Sequence, residues 1–265
     1  MYTLKNFNQT WFNSSWDITT ATQDQMVQPT SISNNRTLSI SKDWLHILLS
    51  NEGQPITEHT LSTAWDLTSN ITTQTATLKN YNYTDCVLYS DDGGYIYVCA
   101  TTTDGQSTIE QRVLSTPFDI STAWSVYKTI TVQPRIWCFR FYDNWTKIIG
   151  NSRAWSIVSA TLSTAWDIST IWSITTQASI SGHGWNWFAI SSDWLHCYAL
   201  YEIDYNINEY TTTTAYDFTT NTRTYKATTS SWGKPFWVDV SPDGRYLFMW
   251  LQNWKIYRYS FTEAS

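Results

Sequence analysis

The stretch Leu162-Ser163-Thr164-Ala165-Trp166-Asp167-Ile168-Ser169-Thr170 returns along the whole chain. Close copies stand at 61–68 and 114–121, and looser ones at 14–19 and 213–219. The shared aspartates are Asp17, Asp66, Asp119, Asp167 and Asp217, at intervals of 49, 53, 48 and 50 residues. Trp16, Trp65 and Trp166 precede three of them, and Phe118 and Tyr216 replace the tryptophan before two others. A second signal runs half a unit out of phase: an apolar run, a tight polar turn with aspartate, then another apolar run. Its aspartates are Asp43, Asp92, Asp143, Asp193 and Asp243, at intervals of 49, 51, 50 and 50 residues. Two signals sharing one period mean five copies of one structural unit.

Each unit reads as four strands. An inner strand leads into the aspartate turn and a second leaves it, because turns such as Ser241-Pro242-Asp243-Gly244 are hairpin chemistry. A third strand covers residues such as 56–61 or 256–261, and a fourth follows the Trp-Asp corner, as at 125–130. Four-stranded antiparallel units of about 50 residues are the blades of a β-propeller. The fold class expected is therefore all-β, a single five-bladed propeller over residues 1–265. Two stacked sandwiches would not explain one period along the full length. The chain ends after a third strand, so residues 14–30 are expected to return as the outer strand of the last blade, removing both free edges. Residues 1–13 are left over as an extension.

Composition narrows the function classes. The net charge is −6 with only 16 Lys and Arg and no basic run, which argues against nucleic-acid binding. No window approaches the 18 or so apolar residues of a membrane helix, and no secretory signal precedes the repeat. Cys86, Cys99, Cys138 and Cys197 form no CxxC pair, so neither a zinc site nor a disulfide framework is expected. Cys86 and Cys99 could face each other across a hairpin, and buried free thiols are the preferred reading. No cofactor or metal is expected.

The Ser-Pro-Asp-Gly turn followed by an aromatic strand is similar to turns in WD-repeat-like propellers. The Leu-Ser-Thr-Ala-Trp-Asp-Ile-Ser-Thr corner resembles a repeat seen in virion and tail-associated propellers of phages and other viruses, and in some bacterial surface proteins. The resemblance covers residues 14–265 and departs at Pro117-Phe118 and Ala215-Tyr216. It implies a virion location, with virion or surface proteins as partners.

Chemistry is weighed against structure. The turn and corner aspartates can accept hydrogen bonds from nearby backbone N–H groups and fix reversals. Corner tryptophans are expected to pack against a neighbouring blade, and His46 and His196, at one blade position, belong to the scaffold. Asp85 and Asp239 are the carboxylates on inner strands. Five-bladed glycosidases of the arabinanase type need a third, so a hydrolase ranks last. The structural alternative for Asp239 is a channel residue that binds water or Arg140.

Alignment on the turn aspartates places Trp137, Trp187 and Trp237 at one inner-strand position, with Trp185, Trp232 and Phe236 nearby. Two readings stand: packing between blades, and a ligand or partner surface. Packing is preferred, since inner strands are buried. The leading expectation is a non-enzymatic structural or attachment module making protein–protein or host-surface contacts. The alternative is a lectin resembling five-bladed tachylectin-type propellers, binding glycans through Trp137, Trp185, Trp187, Trp232, Trp237 or Asp239.

Overall fold

The computed structural model describes residues 21–28, 35–51, 55–69, 71–76, 83–102, 106–142, 144–152, 154, 156–179, 188–201, 206–228, 235–241, 244–251, 253 and 255–261. Strand β1 (Ala21–Val27) comes first in the chain and last in the ring. Blade 1 is β2 (Asn35–Ile40), β3 (His46–Asn51), β4 (Ile56–Leu61) and β5 (Ile71–Ala76). Blade 2 is β6 (Tyr83–Tyr89), β7 (Tyr95–Thr101), β8 (Ser107–Leu114) and β9 (Ala123–Val132). Blade 3 is β10 (Ile136–Tyr142), β11 (Lys147–Ser152), β12 (Ser156–Leu162) and β13 (Ile171–Ser179). Blade 4 is β14 (Phe188–Ile190), β15 (His196–Tyr201), β16 (Asn206–Thr211) and β17 (Thr222–Thr228). Blade 5 is β18 (Pro235–Val240), β19 (Tyr246–Leu251), β20 (Ile256–Phe261) and the returning β1.

The five four-stranded antiparallel sheets form a β-propeller, as the period requires. Inner strands meet around the axis: β2 lies against β6 and β18, β6 against β10, and β14 against β18. These strands are buried on both faces, and Leu38, Val87, Phe139 and Val238 are each at most 1% exposed. The outer strand β13 instead consists of half-buried and exposed residues. This is the gradient expected when sheets are sandwiched at the centre and wet at the edge. β1 closes the ring by pairing with β20 from Ala21↔Phe261 to Val27↔Ile256. Arg258 then grips Asp24 with Nε at 3.0 Å and Nη2 at 2.7 Å, a two-pronged tie across the closure. The corner Trp16-Asp17 lies outside the described residues.

Turns in three blades and corners in four are built the same way. In the turns, Asp43 Oδ1 accepts the Leu45 N–H at 3.0 Å, Asp92 Oδ1 that of Gly94 at 2.9 Å, and Asp193 Oδ1 that of Leu195 at 2.9 Å. In the corners, Asp66, Asp119, Asp167 and Asp217 accept from the residue two positions on, at 2.9, 3.0, 3.0 and 3.0 Å. The same side chains also take the hydroxyls of Thr68, Ser121, Ser169 and Thr219. Asp143 and Asp243 lie outside the described residues.

Among the described residues, all eight non-glycine residues of positive φ sit in these loops: Trp44, Asn144, Trp145 and Trp194 in turns, and Trp65, Phe118, Trp166 and Tyr216 at corners. A left-handed backbone costs an ordinary residue about 1–2 kcal/mol. Stacking offsets that cost, because the turn ring of a blade lies on the corner ring of the same blade. Trp44 stacks on Trp65 at 3.7 Å and Trp145 on Trp166 at 4.3 Å, while Trp194 meets Tyr216 at 4.7 Å. Blade 2 uses the opposite solution. Gly93 (φ 70°) takes the turn position, and the Phe118 ring fills the space where a Cβ would stand, only 2.5 Å away. Gly93→Ala is therefore expected to cost about 2–4 kcal/mol, from strain plus a ring clash. Adding Phe118→Ala should recover part of that loss, and additive losses in chemical denaturation would contradict this geometry.

The corner rings also reach the neighbouring blade, as expected. Trp65 lies 5.5 Å from Tyr246 and 6.1 Å from Phe248, Trp166 lies 6.2 Å from Tyr97, and Tyr216 stacks on Tyr142 at 4.4 Å. Polar ties run in parallel. Tyr97 Oη donates to the Trp166 carbonyl at 2.9 Å, and Arg258 Nη1 donates to that of Trp65 at 2.7 Å. Between blades 1 and 2 the tie is Glu58, only 1% exposed, which accepts from Tyr89 Oη at 2.9 Å and from the Ile120 N–H at 3.0 Å. His46 Nδ1 meets the other Glu58 oxygen at 2.6 Å, and His196 meets Glu209 in the same way at 2.5 Å.

His59 carries a pH dependence. It is 2% exposed, shares a 3.1 Å hydrogen bond with Thr73 Oγ1, and burial pushes its pKa down to about 4, against the pull of Glu58. The unfolded chain takes this proton near the ordinary histidine value of about 6.5 and the folded chain does not. Stability is thus full above pH 6.5 and falls as pH drops toward 4, by about 3 kcal/mol for this group. His59→Gln should flatten that part of a stability-versus-pH curve, and an unchanged slope would contradict the assignment.

Candidate functional site

The hairpin turns of the inner strands converge on one face, around a cavity of about 360 Å³ on the axis. Every blade contributes: Ser39, Lys42 and Trp44; Leu88, Tyr89 and Asp91; Arg140, Tyr142, Asn144, Trp145 and Trp166; Ile190, Ser192 and Trp194; Asp239 and Val240.

The positions deepest from the turns are set by strand register. Five residues before each left-handed turn residue stand Ser39, Leu88, Arg140, Ala189 and Asp239. Arg140 on β10 and Asp239 on β18 belong to blades separated by blade 4, whose residue at this level is the small Ala189. The long guanidinium therefore has room to cross, and Nη2 reaches Asp239 Oδ2 at 3.2 Å. Arg140 Nη1 also donates to the Phe139 carbonyl at 3.1 Å and touches Cys138 Sγ at 3.4 Å. Asp239 Oδ1 accepts the Val240 N–H at 3.0 Å. Burial raises the Asp239 pKa and outweighs the opposing pull of Arg140. The pair is a charged floor under an aromatic wall.

Nearer the mouth, Lys42 pairs with Asp91 and lies 4.8 Å over the Trp145 ring. Trp145 and Trp194 are half-buried, so each keeps part of a face toward the opening. Trp44 Nε1 is buried with no hydrogen-bond partner among the described residues. A concave pocket whose lining mixes aromatic rings with converging polar and charged groups is what small ligands and inserted side chains bind.

The sequence-derived candidates divide. Asp239 lies in the cavity and is paired with Arg140. Trp237 and Trp137 are core residues, 2% and 4% exposed, which is the packing arrangement. Trp185, Trp187 and Trp232 lie outside the described residues. The alignment that grouped Trp137 with Trp237 is corrected by the register. In blade 3 the turn aspartate is displaced by one residue, and Asn144-Trp145 take the places of Asp43-Trp44. Trp137 falls on the bulge skipped between Ile136↔Ser152 and Cys138↔Asn151, the level of Asp85 and Phe236. Cys138 is the true counterpart of Thr37, Cys86 and Trp237.

Asp85 and Asp239 are not brought together. Their strand levels differ by three residues, about 10 Å along a strand, on blades that are not neighbours. Each carboxylate faces its own arginine: Asp85 is 3.6 Å from Arg135, and Asp239 is 3.2 Å from Arg140. Among the described residues no group of three or more His, Cys, Asp and Glu could hold a metal ion. No described helix is long and apolar enough to cross a membrane. Sequence reasoning missed Trp145, Trp194 and Lys42 as cavity residues. The available signal was the aromatic that follows Asp43, Asn144 and Asp193 in three turns.

No family model matches the sequence, and no curated protein matches it. Similarity to solved structures is at the level of fold. A chain of the mitotic checkpoint complex aligns with a TM-score of 0.50 and 13% identity, over 91% of this chain and 92% of its own. The β-propeller domain of Cps50 (Swd1) from Myceliophteria thermophila aligns with a TM-score of 0.48 and 11% identity. That alignment covers 82% of this chain and 66% of the Swd1 domain, just under two thirds.

Proposed function

We propose that the protein is a non-enzymatic binding module that receives one partner on the turn face of the propeller, at the axial cavity. The observation that carries this reading is the asymmetry of the cavity within a repeated scaffold. Five near-identical blades supply Ser39, Leu88, Arg140, Ala189 and Asp239 at one level, and Lys42, Asp91 and Ser192 at another. A lectin with an equivalent site in each blade would need like residues at like positions. One axial site with a charged floor and aromatic walls suits a single inserted group, such as a side chain or loop tip of a protein partner. The virion setting belongs to this proposal and is supported by the resemblance of the corner repeat.

A sugar at the same site is the second reading. The half-buried rings of Trp145 and Trp194 above Arg140 and Asp239 could stack on a sugar face while the ion pair meets its hydroxyls. A peptide-display library and a glycan array, each probed with the wild type and with Trp145→Ala, separate the two. The expected result is one class of binder, one per chain, weakened at least about tenfold by Trp145→Ala. Tyr127→Ala on the outer strand of blade 2 should leave it unchanged. Binders indifferent to Trp145→Ala, or saturating at several per chain, would sink the axial site.

A further inference from the structure

The four cysteines are free and buried. Cys86 pairs in register with Cys99 across β6 and β7, yet its sulfur makes its close contact elsewhere, with Cys138 Sγ of the next blade at 2.9 Å. This follows from the corrected register. Cys86 and Cys138 are the same position of successive blades, on inner strands that touch at the axis.

We propose that Cys86 and Cys138 are a peroxide-sensitive pair that closes a disulfide between blades 2 and 3. The approach is through the axial cavity, whose floor residue Arg140 touches Cys138 Sγ at 3.4 Å. The hydrogen bond from Cys86 and the nearby Arg140 guanidinium hold the Cys138 thiol below its ordinary range despite burial, while burial pushes Cys86 up. Cys138 is thus the attacking sulfur and Cys86 the resolving one. The Cys138 thiolate attacks one oxygen of hydrogen peroxide and the O–O bond breaks. Cys138 becomes a sulfenic acid, and the released hydroxide takes a proton to become water. Cys86 then attacks the sulfenic sulfur, the S–O bond breaks, and the leaving hydroxide takes the Cys86 proton as a second water. Two thiols are oxidised and one peroxide is reduced to two waters.

The test treats the folded chain with hydrogen peroxide, blocks remaining thiols with N-ethylmaleimide, and maps chymotryptic peptides without reduction. Cleavage after Tyr89 and Tyr97 separates Cys86 from Cys99. The expected result is a cross-linked Cys86–Cys138 peptide pair. The melting midpoint should rise by about 5 °C or more, reversibly with dithiothreitol. In Cys86→Ser the resolving thiol is gone, and Cys138 should stop as a sulfenic or sulfinic acid. Oxidation of wild-type Cys138 without a cross-link would overturn the proposal. So would a folded chain whose two thiols both stay blockable at peroxide levels that oxidise the unfolded chain.

Discussion

Glu58→Ala is expected to lower the unfolding free energy by about 3–5 kcal/mol, the range for breaking a buried, hydrogen-bonded charge. The side chain is 1% exposed and joins three elements of two blades. Its loss strands Tyr89 Oη and the Ile120 N–H, at 2.9 and 3.0 Å from the carboxylate, and leaves His46 without its 2.6 Å partner. Each stranded donor costs about 1–3 kcal/mol when water cannot replace the acceptor. Glu58→Gln keeps an acceptor oxygen for one donor and should cost roughly half as much. Urea unfolding followed by tryptophan fluorescence reads both. A loss under about 1 kcal/mol for the alanine variant would show that water enters the interface and that Glu58 is not the tie described above.

The second large effect falls on the axial ion pair. Arg140→Ala leaves the half-buried Asp239 carboxylate without its counter-ion. The pair is partly exposed, with side-chain exposures of 21% and 14%, so the expected cost is about 2–4 kcal/mol at pH 8 rather than the full buried value. The sign with pH follows from the carboxylate. Burial already raises the Asp239 pKa with Arg140 in place, and removing the guanidinium raises it further. A folded pKa above the unfolded one means that stability is lost as pH rises through the folded value. Arg140→Ala should therefore be closest to wild type in mild acid and fall behind at neutral and alkaline pH. Adding Asp239→Asn should remove that dependence. If Arg140→Ala is equally damaging across the range, the cost comes from lost packing of the arginine stem, not from the stranded charge.

How much of this was readable beforehand depends on which interaction decides each residue. The five-fold period was readable because each blade must repeat its turn and its corner. Aspartate serves both for a local reason, since Asp119 needs only the Ser121 N–H two residues on. The left-handed tryptophans were not readable in the same way. Local preference argues against Trp44 or Trp145 at positive φ, and the stacked corner ring that overrides it lies about 20 residues away in sequence. The cavity was half visible. The axial place of Asp239 is legible, with water or Arg140 as its partner, but the size of Ala189, which lets the arginine cross, matters only once the blades are in their ring. Blade 3 misled the alignment because Asp143 stands one residue early while Asn144 fills the aspartate place. That single offset put Trp137 where Cys138 belongs and hid the thiol pair.

Exposed apolar groups elsewhere offer the strongest rival to the axial site. Trp172 on β13 is 88% exposed and Tyr127 on β9 is 57% exposed, both on outer strands. Hydrogen–deuterium exchange of the protein with and without a binder from the display or array screen decides between them. The axial account predicts protection in the turns at 41–46, 90–95 and 191–196, around the cavity mouth, with the outer strands unchanged. Protection confined to β9 and β13, with the turns exchanging as before, would contradict it.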